Sequence, residues 1–473
     1  MKVLLVEDDQ SMLEVLQREL EKIPGVTLGA AQSKASAVNL LQAERFDLVI
    51  NDLKLPTIDG ALDANVAHGL AVHAIVREHS EGTPVLIFSG FGTLTQATEL
   101  YEKSRRCDVW ASGEQLSLTR YLRKDQISEC LSTVRHAAEQ LAAVESIEIS
   151  TGGAPLQLEP AQRRILQLFS RFHSGANVQV RPLGGGLSDT AVFRITVEDR
   201  KGAPSSYAVA KIGAIRSLSD EHARYQKFVA PVMSPGAFAP VIQFCDAGAW
   251  NYGGLFYSLA SAHEQTLFDV VGAAPKKAAT LARKLRTIEE PWQAKTSLED
   301  HTVGDIRRLF MHDGDFEKVA ATLDFDWSKL EAMVVTAPFC RQHFDLHGLN
   351  VLVRKRTDPI VIDYGEVERG PACVDPLVLE LSVLFHPSAE HLRKSWPTAT
   401  QAENWDDVKA FAGGTVIEPY IAECRKWTHG VAGRDRAVFA TAYSFAVRQL
   451  KYPKTPHDIA LKVAGAANRR LTT

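Results

Sequence analysis

Four carboxylates follow two short apolar runs near the start of the chain. Glu7, Asp8 and Asp9 come directly after the first run, and Asp52 comes shortly after the other. If both runs are parallel strands of one sheet, their carboxyl ends meet at the same edge and bring these side chains together. Crowded carboxylates repel one another unless a cation joins them, and oxygen-ligated Mg²⁺ is the simplest partner. The sequence therefore predicts a magnesium site at this edge.

Two further side chains suit a phosphate at the same edge. Ser89 ends another apolar run, and Lys124 follows the apolar pair Tyr121-Leu122 of a predicted fifth strand. A hydroxyl and an ammonium group would hold the oxygens of a phosphate carried by Asp52. The first segment is therefore expected to accept a phosphoryl group on Asp52.

A second set of candidates lies in the run His343-Phe-Asp-Leu-His-Gly-Leu-Asn350 and in Ile362-Asp-Tyr-Gly365. Phosphoryl transfer from ATP needs a carboxylate beside the acceptor hydroxyl and groups that hold Mg²⁺ against the phosphates. The spacing of the first run places Asp345 and Asn350 on one loop, and Asp363 would supply a second metal ligand. These residues predict an ATP-dependent phosphotransferase.

The phosphates of the nucleotide would be held upstream. A glycine-rich turn between two predicted strands allows backbone amides to approach a triphosphate closely. Lys211 lies on a later strand, and Glu221, on the next predicted helix, would form an ion pair that positions this lysine on the phosphates. The candidate residues of the turn are Gly184, Gly185, Gly186 and Ser188.

The elements that must position these residues differ between the two halves of the chain. In the first half, β-rich apolar runs alternate with helical patterns, which predicts a parallel sheet with right-handed crossovers. In the second half, one helix precedes antiparallel strands. Beyond Lys276 the pattern is mainly helical, with strand-like runs at Val351–Val353 and Ile360–Ile362. Between the halves, Gln126–Ile147 predicts one long helix, which either packs on its own sheet or pairs with a copy of itself.

Composition excludes several classes of protein. A chain of 473 residues suggests two or three domains, and 45% apolar with 23% charged residues indicates folded domains. The formal charge of -4 argues against a nucleic-acid-binding surface, and no stretch reaches the roughly 18 apolar residues of a membrane span. The six cysteines lie far apart, without the close pairs of zinc or redox sites. A cytoplasmic protein with reduced thiols is expected.

The first part of the chain, taken as a whole, resembles the receiver domain of bacterial response regulators. The resemblance implies a sensor histidine kinase as partner and bound Mg²⁺. Two departures are an insertion at Ala61–His68 and an unusually long stretch Gly90–Thr119. A degenerate receiver that binds partners without phosphorylation is the alternative. The implied roles are metal binding for Asp8 and Asp9, phosphate acceptance for Asp52, and switching or phosphate binding for Ser89, Tyr121 and Lys124.

The run from Leu183 to Pro387 resembles the aminoglycoside and choline kinase branch of the protein-kinase-like superfamily. Its His-Phe-Asp-Leu-His-Gly-Leu-Asn motif is similar to that branch's His-Gly-Asp-Leu-His-x-x-Asn. By resemblance, His343 braces the catalytic loop and Asp375 supports the helical lobe. The other implied roles are a catalytic base for Asp345, Mg²⁺ binding for Asn350 and Asp363, anchoring of ATP for Lys211 and Glu221, and contact with adenine for Gly254–Ala260.

We therefore expect an α/β chain with a doubly wound parallel five-stranded receiver sheet, followed by a bilobal kinase-like α+β domain. The expected domains are a receiver over 1–125, a helical and possibly dimerising linker over 126–155, an N-lobe over 156–262 and a helical C-lobe over 263–473. The linker would end in the turn Thr151–Pro155.

The predicted function is that of a two-component response regulator. Its phosphotransferase output would be controlled by phosphorylation of Asp52 and would act on an unidentified acceptor, a small molecule or a protein. Neither nucleic acid nor a membrane is an expected partner. The alternative is a pseudokinase-type nucleotide-binding or scaffolding protein without turnover.

Overall fold

The computed structural model divides the chain into two compact units. Unit 1 comprises Met1–Ser219 with Val241–Ala262, and unit 2 comprises Asp220–Pro240 with His263–Thr473. The residues that the structure describes are 1–90, 104–153, 156–183, 190–259, 265–354 and 357–473.

The N-terminal part of unit 1 is built on a five-stranded parallel sheet, as predicted. Its central strands are buried along their whole length, as expected for a sheet covered on both faces. The strands are β1 (Lys2–Val6), β2 (Thr27–Ala31), β3 (Leu48–Asn51), β4 (Val85–Phe88) and β7 (Thr119–Leu122), in the order β2-β1-β3-β4-β7. The helices are α1 (Gln10–Leu20), α2 (Lys34–Ala43), α3 (Val66–His79) and α4 (Ile127–Glu145), and a short hairpin is formed by β5 (Arg106–Cys107) and β6 (Leu116–Ser117).

The rest of unit 1 is a six-stranded sheet, here called the N-lobe sheet. Its strands run antiparallel except for the first, which lies parallel to its neighbour and was not predicted. The strands are β8 (Glu148–Ser150), β9 (Asn177–Pro182), β10 (Ala191–Glu198), β11 (Pro204–Ala214), β12 (Val241–Cys245) and β13 (Tyr252–Ser258), in the order β12-β13-β11-β10-β9-β8. Helix α5 (Pro160–Phe172) packs on this sheet, and α6 (Ile215–Arg224) follows β11.

One hydrophobic core joins the two sheets of unit 1. It contains residues of β1, β3 and α1 together with residues of α5 and the N-lobe sheet. The apolar stripe of α4, which includes Cys130, Val134 and Leu141, is buried in this core. Of the two interpretations of this helix, the structure favours packing within the chain, and pairing with a second copy stays a prediction.

Unit 2 is mainly helical but contains more strands than predicted. The predicted runs form β17 and β18, whereas β15, β16 and β19 form a sheet that the sequence pattern missed. The strands are β14 (Gln265–Thr266), β15 (Ser297–Thr302), β16 (Val334–Gln342), β17 (Val351–Arg354), β18 (Asp358–Val361) and β19 (Glu368–Pro371). The helices are α7 (Leu267–Ala273), α8 (Pro275–Gln293), α9 (Val303–Arg308), α10 (Asp313–Ala320), α11 (Trp327–Glu331), α12 (Val374–Phe385), α13 (Ala399–Glu403), α14 (Val408–Ala412), α15 (Glu418–Ala432), α16 (Asp435–Gln449) and α17 (His457–Thr472).

None of the helices within the described ranges combines the length and the apolar character needed to cross a membrane.

Candidate functional sites

Three carboxylates meet at the carboxyl edge of the parallel sheet. Oxygen atoms of Glu7, Asp8 and Asp52 all lie within 4.8 Å of one another. The sequence had assigned Asp9 to this cluster, but the Asp9 side chain caps α1 by accepting the Met12 backbone N–H at 2.9 Å. The structure therefore corrects the acidic set to Glu7, Asp8 and Asp52. Three carboxylates this close can hold a hard divalent cation such as Mg²⁺.

The other predicted residues of this edge surround Asp52. The Ser89 hydroxyl donates to Asp52 Oδ1 at 2.6 Å, and Lys124 Nζ lies 2.7 Å from Asp52 Oδ2 and 2.6 Å from Glu7 Oε1. The half-buried Tyr121 donates its hydroxyl to the Ser89 carbonyl oxygen at 3.2 Å. Asp52 itself is buried, with 3% exposure. A phosphoryl group on Asp52 would therefore meet a hydroxyl and an ammonium group directly.

The charges of this cluster are only partly balanced. Burial raises the pKa of Glu7 to about 7, against the opposing effect of Lys124. Burial and the charge of Asp52 also raise the pKa of Asp8. Burial would lower the pKa of Lys124, but its hydrogen bonds to Asp52 and Glu7 raise it. One ammonium group thus faces three carboxylates, and a divalent cation would remove the remaining repulsion.

The predicted catalytic loop of unit 2 is fixed by a buried carboxylate. Asp375, at the start of α12, accepts the backbone N–H of His343 at 2.6 Å and that of Phe344 at 2.8 Å. Phe344 has a φ of 65°, so these hydrogen bonds hold a backbone conformation that non-glycine residues rarely adopt. His343 is fully buried and donates from Nε2 to the Ile362 carbonyl oxygen at 3.1 Å. His343 and Asp375 therefore both hold the loop, whereas the sequence predicted this role for His343 and support of the helical lobe for Asp375.

Asp345 projects from this loop with 30% of its side chain exposed. Its Oδ2 atom lies 3.5 Å from His347 Nε2. Burial would raise the pKa of Asp345, but the charges of His347 and Arg448 and the His347 hydrogen bond lower it strongly. Asp345 is therefore ionised at neutral pH, and its carboxylate can accept a hydrogen bond from a hydroxyl group beside it.

The two predicted metal ligands of unit 2 lie on separate segments, with Asn350 beside Asp345 on the loop and Asp363 after β18. Asn350 donates its amide N–H to the Asp345 carbonyl oxygen at 2.9 Å, so its amide oxygen is the atom that could ligate a metal. The Ile362 N–H donates to the Asn350 carbonyl oxygen at 3.0 Å, which ties the loop to the residue before Asp363. Asp363 has a φ of 67°. This backbone link brings together the segments that carry Asn350 and Asp363.

The predicted nucleotide-binding residues fall partly outside the described residues. Lys211 lies on β11 with 8% exposure, and Glu221 lies on α6 with 2% exposure. The predicted adenine strand corresponds to β13, of which Gly254 is part. The glycine-rich turn, comprising Gly184, Gly185, Gly186 and Ser188, lies outside the described residues.

Several residues near Asp345 were not predicted. Glu289 on α8 is buried close to Asp375, and burial raises the pKa of both carboxyl groups. The His386 ring lies 4.4 Å from the His347 ring, and the Phe268 ring lies 5.3 Å from that of His386. Glu289, His386 and Phe268 come from three separate elements. They therefore belong to no local sequence motif from which they could have been predicted.

Two family models match separate parts of the chain. The model described as response regulator receiver domain matches residues 3–105, and the model described as phosphotransferase enzyme family matches residues 179–411. The first match contains Asp52 and Ser89, and the second contains Lys211 and Asp345.

Curated relatives match the N-terminal part. Response regulator protein FleR of Pseudomonas aeruginosa is 31% identical over 170 residues, which are 36% of this chain and 30% of FleR. Transcription factor SKN7 of Saccharomyces cerevisiae is 32% identical over 133 residues, which are 27% of this chain and 20% of SKN7. Transcriptional regulatory protein CusR of Escherichia coli is 23% identical over 178 residues, 37% of this chain and 74% of CusR. The chain thus spans less than a third of the length of FleR and of SKN7.

Solved structures match the same part. The receiver domain of Francisella response regulator 1452 aligns with a TM-score of 0.22 and 22% identity, covering 29% of this chain and 97% of that domain. The signal receiver domain of an HD domain-containing protein from Pseudomonas fluorescens aligns with a TM-score of 0.23 and 26% identity, covering 31% of this chain and 93% of that domain. The family matches carry the assignment: this chain joins a response regulator receiver domain to a domain of the phosphotransferase enzyme family.

Proposed function

We propose that this protein is a response regulator whose output domain is an ATP- and Mg²⁺-dependent phosphotransferase controlled by phosphorylation of Asp52. The observation that carries the proposal is the position of Asp345. It is partly exposed and lies on a braced loop beside Asn350. A residue that orients an acceptor hydroxyl and takes its proton needs this access and position.

In the proposed reaction, Asp345 orients the acceptor hydroxyl and takes its proton as the hydroxyl oxygen attacks the γ-phosphorus of ATP. The bond between the γ-phosphorus and the β–γ bridging oxygen breaks, and ADP leaves. Asn350 and Asp363 would hold Mg²⁺, which supplies charge neutralisation on the phosphates. Lys211, positioned by Glu221, would anchor the nucleotide, as the family resemblance implies.

The receiver would act as the regulatory part. A sensor histidine kinase, the phosphodonor that a receiver domain implies, would transfer a phosphoryl group to Asp52, with Mg²⁺ held by Glu7, Asp8 and Asp52. The added charge would attract the side chains of Lys124 and Ser89, both of which already contact Asp52. Since Tyr121 is bonded to the Ser89 carbonyl oxygen, a change at Ser89 would reach β7.

The transferase proposal is tested by incubating the full chain with Mg²⁺, radiolabelled ATP and a metabolite extract. Asp345→Asn should lower the formation of labelled product by about 10²-fold or more, because it removes the base while keeping the size of the side chain. Asp358→Asn is a matched control, since Asp358 lies on β18 in the same unit and makes an exposed ion pair with Lys284. Equal turnover in the wild type and Asp345→Asn would overturn the proposal.

The same experiment separates the enzyme from a pseudokinase. Nucleotide binding that persists in the wild type without labelled product from any acceptor would identify a binding protein. Acetyl phosphate, added as a small-molecule phosphodonor, adds a second test, because turnover should change on its addition in the wild type but not in Asp52→Asn.

A further inference from the structure

The strand that carries the receiver's Tyr121 is anchored at its other end to an unusual segment. Residues 104–118, here called the clamp, belong to the long stretch between β4 and β7 that departs from the receiver pattern. The Ser104 hydroxyl accepts the Thr119 N–H at 2.8 Å, and the Leu118 N–H donates to the Arg105 carbonyl oxygen at 3.0 Å. The start of β7 is therefore bonded directly to the clamp.

The clamp in turn contacts the turn between β12 and β13 of the N-lobe sheet. Arg105 forms an ion pair with Asp246 and donates a second hydrogen bond to the Asp246 carbonyl oxygen at 2.9 Å. At Gly248, a side chain would place its Cβ 2.3 Å from the Val109 carbonyl oxygen. The φ of Gly248 is +81°, which also favours glycine. This turn therefore accommodates the clamp at a distance that only glycine permits.

A second receiver loop contacts the same turn. Gly82, between α3 and β4, donates its N–H to the Trp250 carbonyl oxygen at 2.7 Å and accepts the Gly248 N–H at 3.0 Å. The clamp is also bonded to α5, where Arg171 donates to the Trp110 carbonyl oxygen at 3.0 Å. The turn between β12 and β13 is thus contacted by both the clamp and the Gly82 loop.

The turn leads into the strand beside Lys211. β13 pairs with β11 in antiparallel register, with Leu255 opposite Lys211. A displacement of the clamp would therefore move β13 relative to the strand that carries the predicted nucleotide-anchoring lysine. Packed elements shift as units, so a small change at β7 can be passed along such a chain of contacts.

We infer that the clamp transmits the state of Asp52 to the Lys211 strand through the Arg105–Asp246 contact. The inference deepens the proposed function, on which it rests, by naming the route of regulation. The route starts at Ser89 and Tyr121, runs along β7 to the clamp and ends in the turn between β12 and β13.

The test measures amide hydrogen exchange of the full chain with and without beryllofluoride and Mg²⁺, which mimic a phosphoryl group on Asp52. In the wild type, exchange in 246–258 should change by about threefold or more. In Arg105→Gln and Asp246→Asn this change should disappear, whereas the response around Asp52 should remain. Arg18→Gln is the matched control, because Arg18 lies on α1, outside the proposed route, and makes its ion pair with Glu19.

Each outcome decides the inference. An unchanged response of 246–258 in Arg105→Gln, or no response of 246–258 in the wild type, would overturn it. Restoration by the charge-exchanged pair Arg105→Asp with Asp246→Arg would support it even if a single variant loses stability. The measurement uses no ATP, so the route can be tested even if the transferase is inactive. If the exchange around Asp52 does not respond to beryllofluoride, both receiver control and this route are refuted.

Discussion

At the two carboxylate sites of the chain, the pKa values of Glu7 and Asp345 shift in opposite directions. In the receiver, burial raises the pKa of Glu7 to about 7, and Lys124 faces the cluster of three carboxylates to which Glu7 belongs. In the transferase domain, burial acts on Asp345 in the same direction, but His347 and Arg448 outweigh it and lower its pKa. The difference shows that burial outweighs the neighbouring lysine at Glu7, whereas the neighbouring side chains outweigh burial at Asp345.

Replacing a carboxylate should have opposite effects at the two sites, and the larger effect is expected in unit 2. Each carboxylate oxygen of Asp375 accepts one buried backbone N–H, and Asp375→Asn replaces one of these oxygens with an NH₂ group that cannot accept. The unpaired N–H should lower the free energy of unfolding by roughly 2–4 kcal/mol. Urea unfolding followed by tryptophan fluorescence measures this, because five of the seven tryptophans lie in unit 2. The exposed Asp358→Asn should stay within about 0.5 kcal/mol of the wild type. A loss of the same size in both variants would contradict the buried role of Asp375.

The pair formed by Glu289 and Asp375 should make unit 2 less stable as pH rises. Burial raises the pKa of Asp375 to about 7 and that of Glu289 well above its ordinary value. Between pH 4 and 7 the unfolded chain therefore loses protons that the folded protein keeps, and the free energy of unfolding falls with rising pH. Each proton contributes up to about 1.4 kcal/mol per pH unit.

Glu289→Gln isolates this contribution. Other carboxylates, Asp345 among them, have lowered pKa values and act in the opposite direction. The difference between the variant and the wild type is therefore the quantity to measure, from urea midpoints across that pH range. The variant should gain stability relative to the wild type as pH rises, by roughly 2 kcal/mol at pH 7. A constant difference would contradict a raised pKa of Glu289 in the folded protein.

The receiver site could be predicted almost entirely from the sequence because its residues follow strands of one parallel sheet. Ser89 and Lys124 lie where the strand pattern placed them. The exception is Asp9, since three successive acids at the end of a strand cannot all face one point. Aspartate is a favoured residue at the N-cap of a helix, and Asp9 directly precedes Gln10, where α1 begins. This position could have indicated that Asp9 caps the helix.

The unpredicted features depend on contacts between residues far apart in the chain. β15 reads Ser-Leu-Glu-Asp-His-Thr, which has little strand character, and its pairing with β16 makes it a strand. Arg105 and Asp246 are separated by 141 positions, and no local pattern indicates that they meet. The contacts of the clamp and the sharing of one core by two predicted domains could therefore not be predicted from the sequence.

Binding of Mg²⁺ to the receiver should depend on pH because of Glu7. Below its pKa of about 7, the metal must displace a proton, so affinity should fall by up to about tenfold per pH unit. Titration calorimetry at pH 8 and pH 6 measures this, in the Asp363→Asn background, which removes the acidic metal ligand proposed for unit 2. Glu7→Gln should bind more weakly at pH 8 and lose most of the pH dependence. An equal affinity of the wild type at both pH values would show that Glu7 is ionised throughout.

Relief of repulsion in the receiver is the smallest expected effect and the sharpest contrast with Asp375. Asp8→Asn removes one of three carboxylates whose oxygens lie within 4.8 Å of one another, and the Asp52 charge already raises the pKa of Asp8. Without Mg²⁺, unit 1 should therefore gain stability by about 0.5–1 kcal/mol, because the lost interaction is repulsive. With saturating Mg²⁺ the wild type should be more stable than the variant, because the variant lacks one of the carboxylates that would bind the ion. Thermal unfolding with and without Mg²⁺ measures both signs. If Asp8→Asn destabilised the metal-free protein, the receiver carboxylates would be held by partners in the way Asp375 is, and the contrast between the two sites would fail.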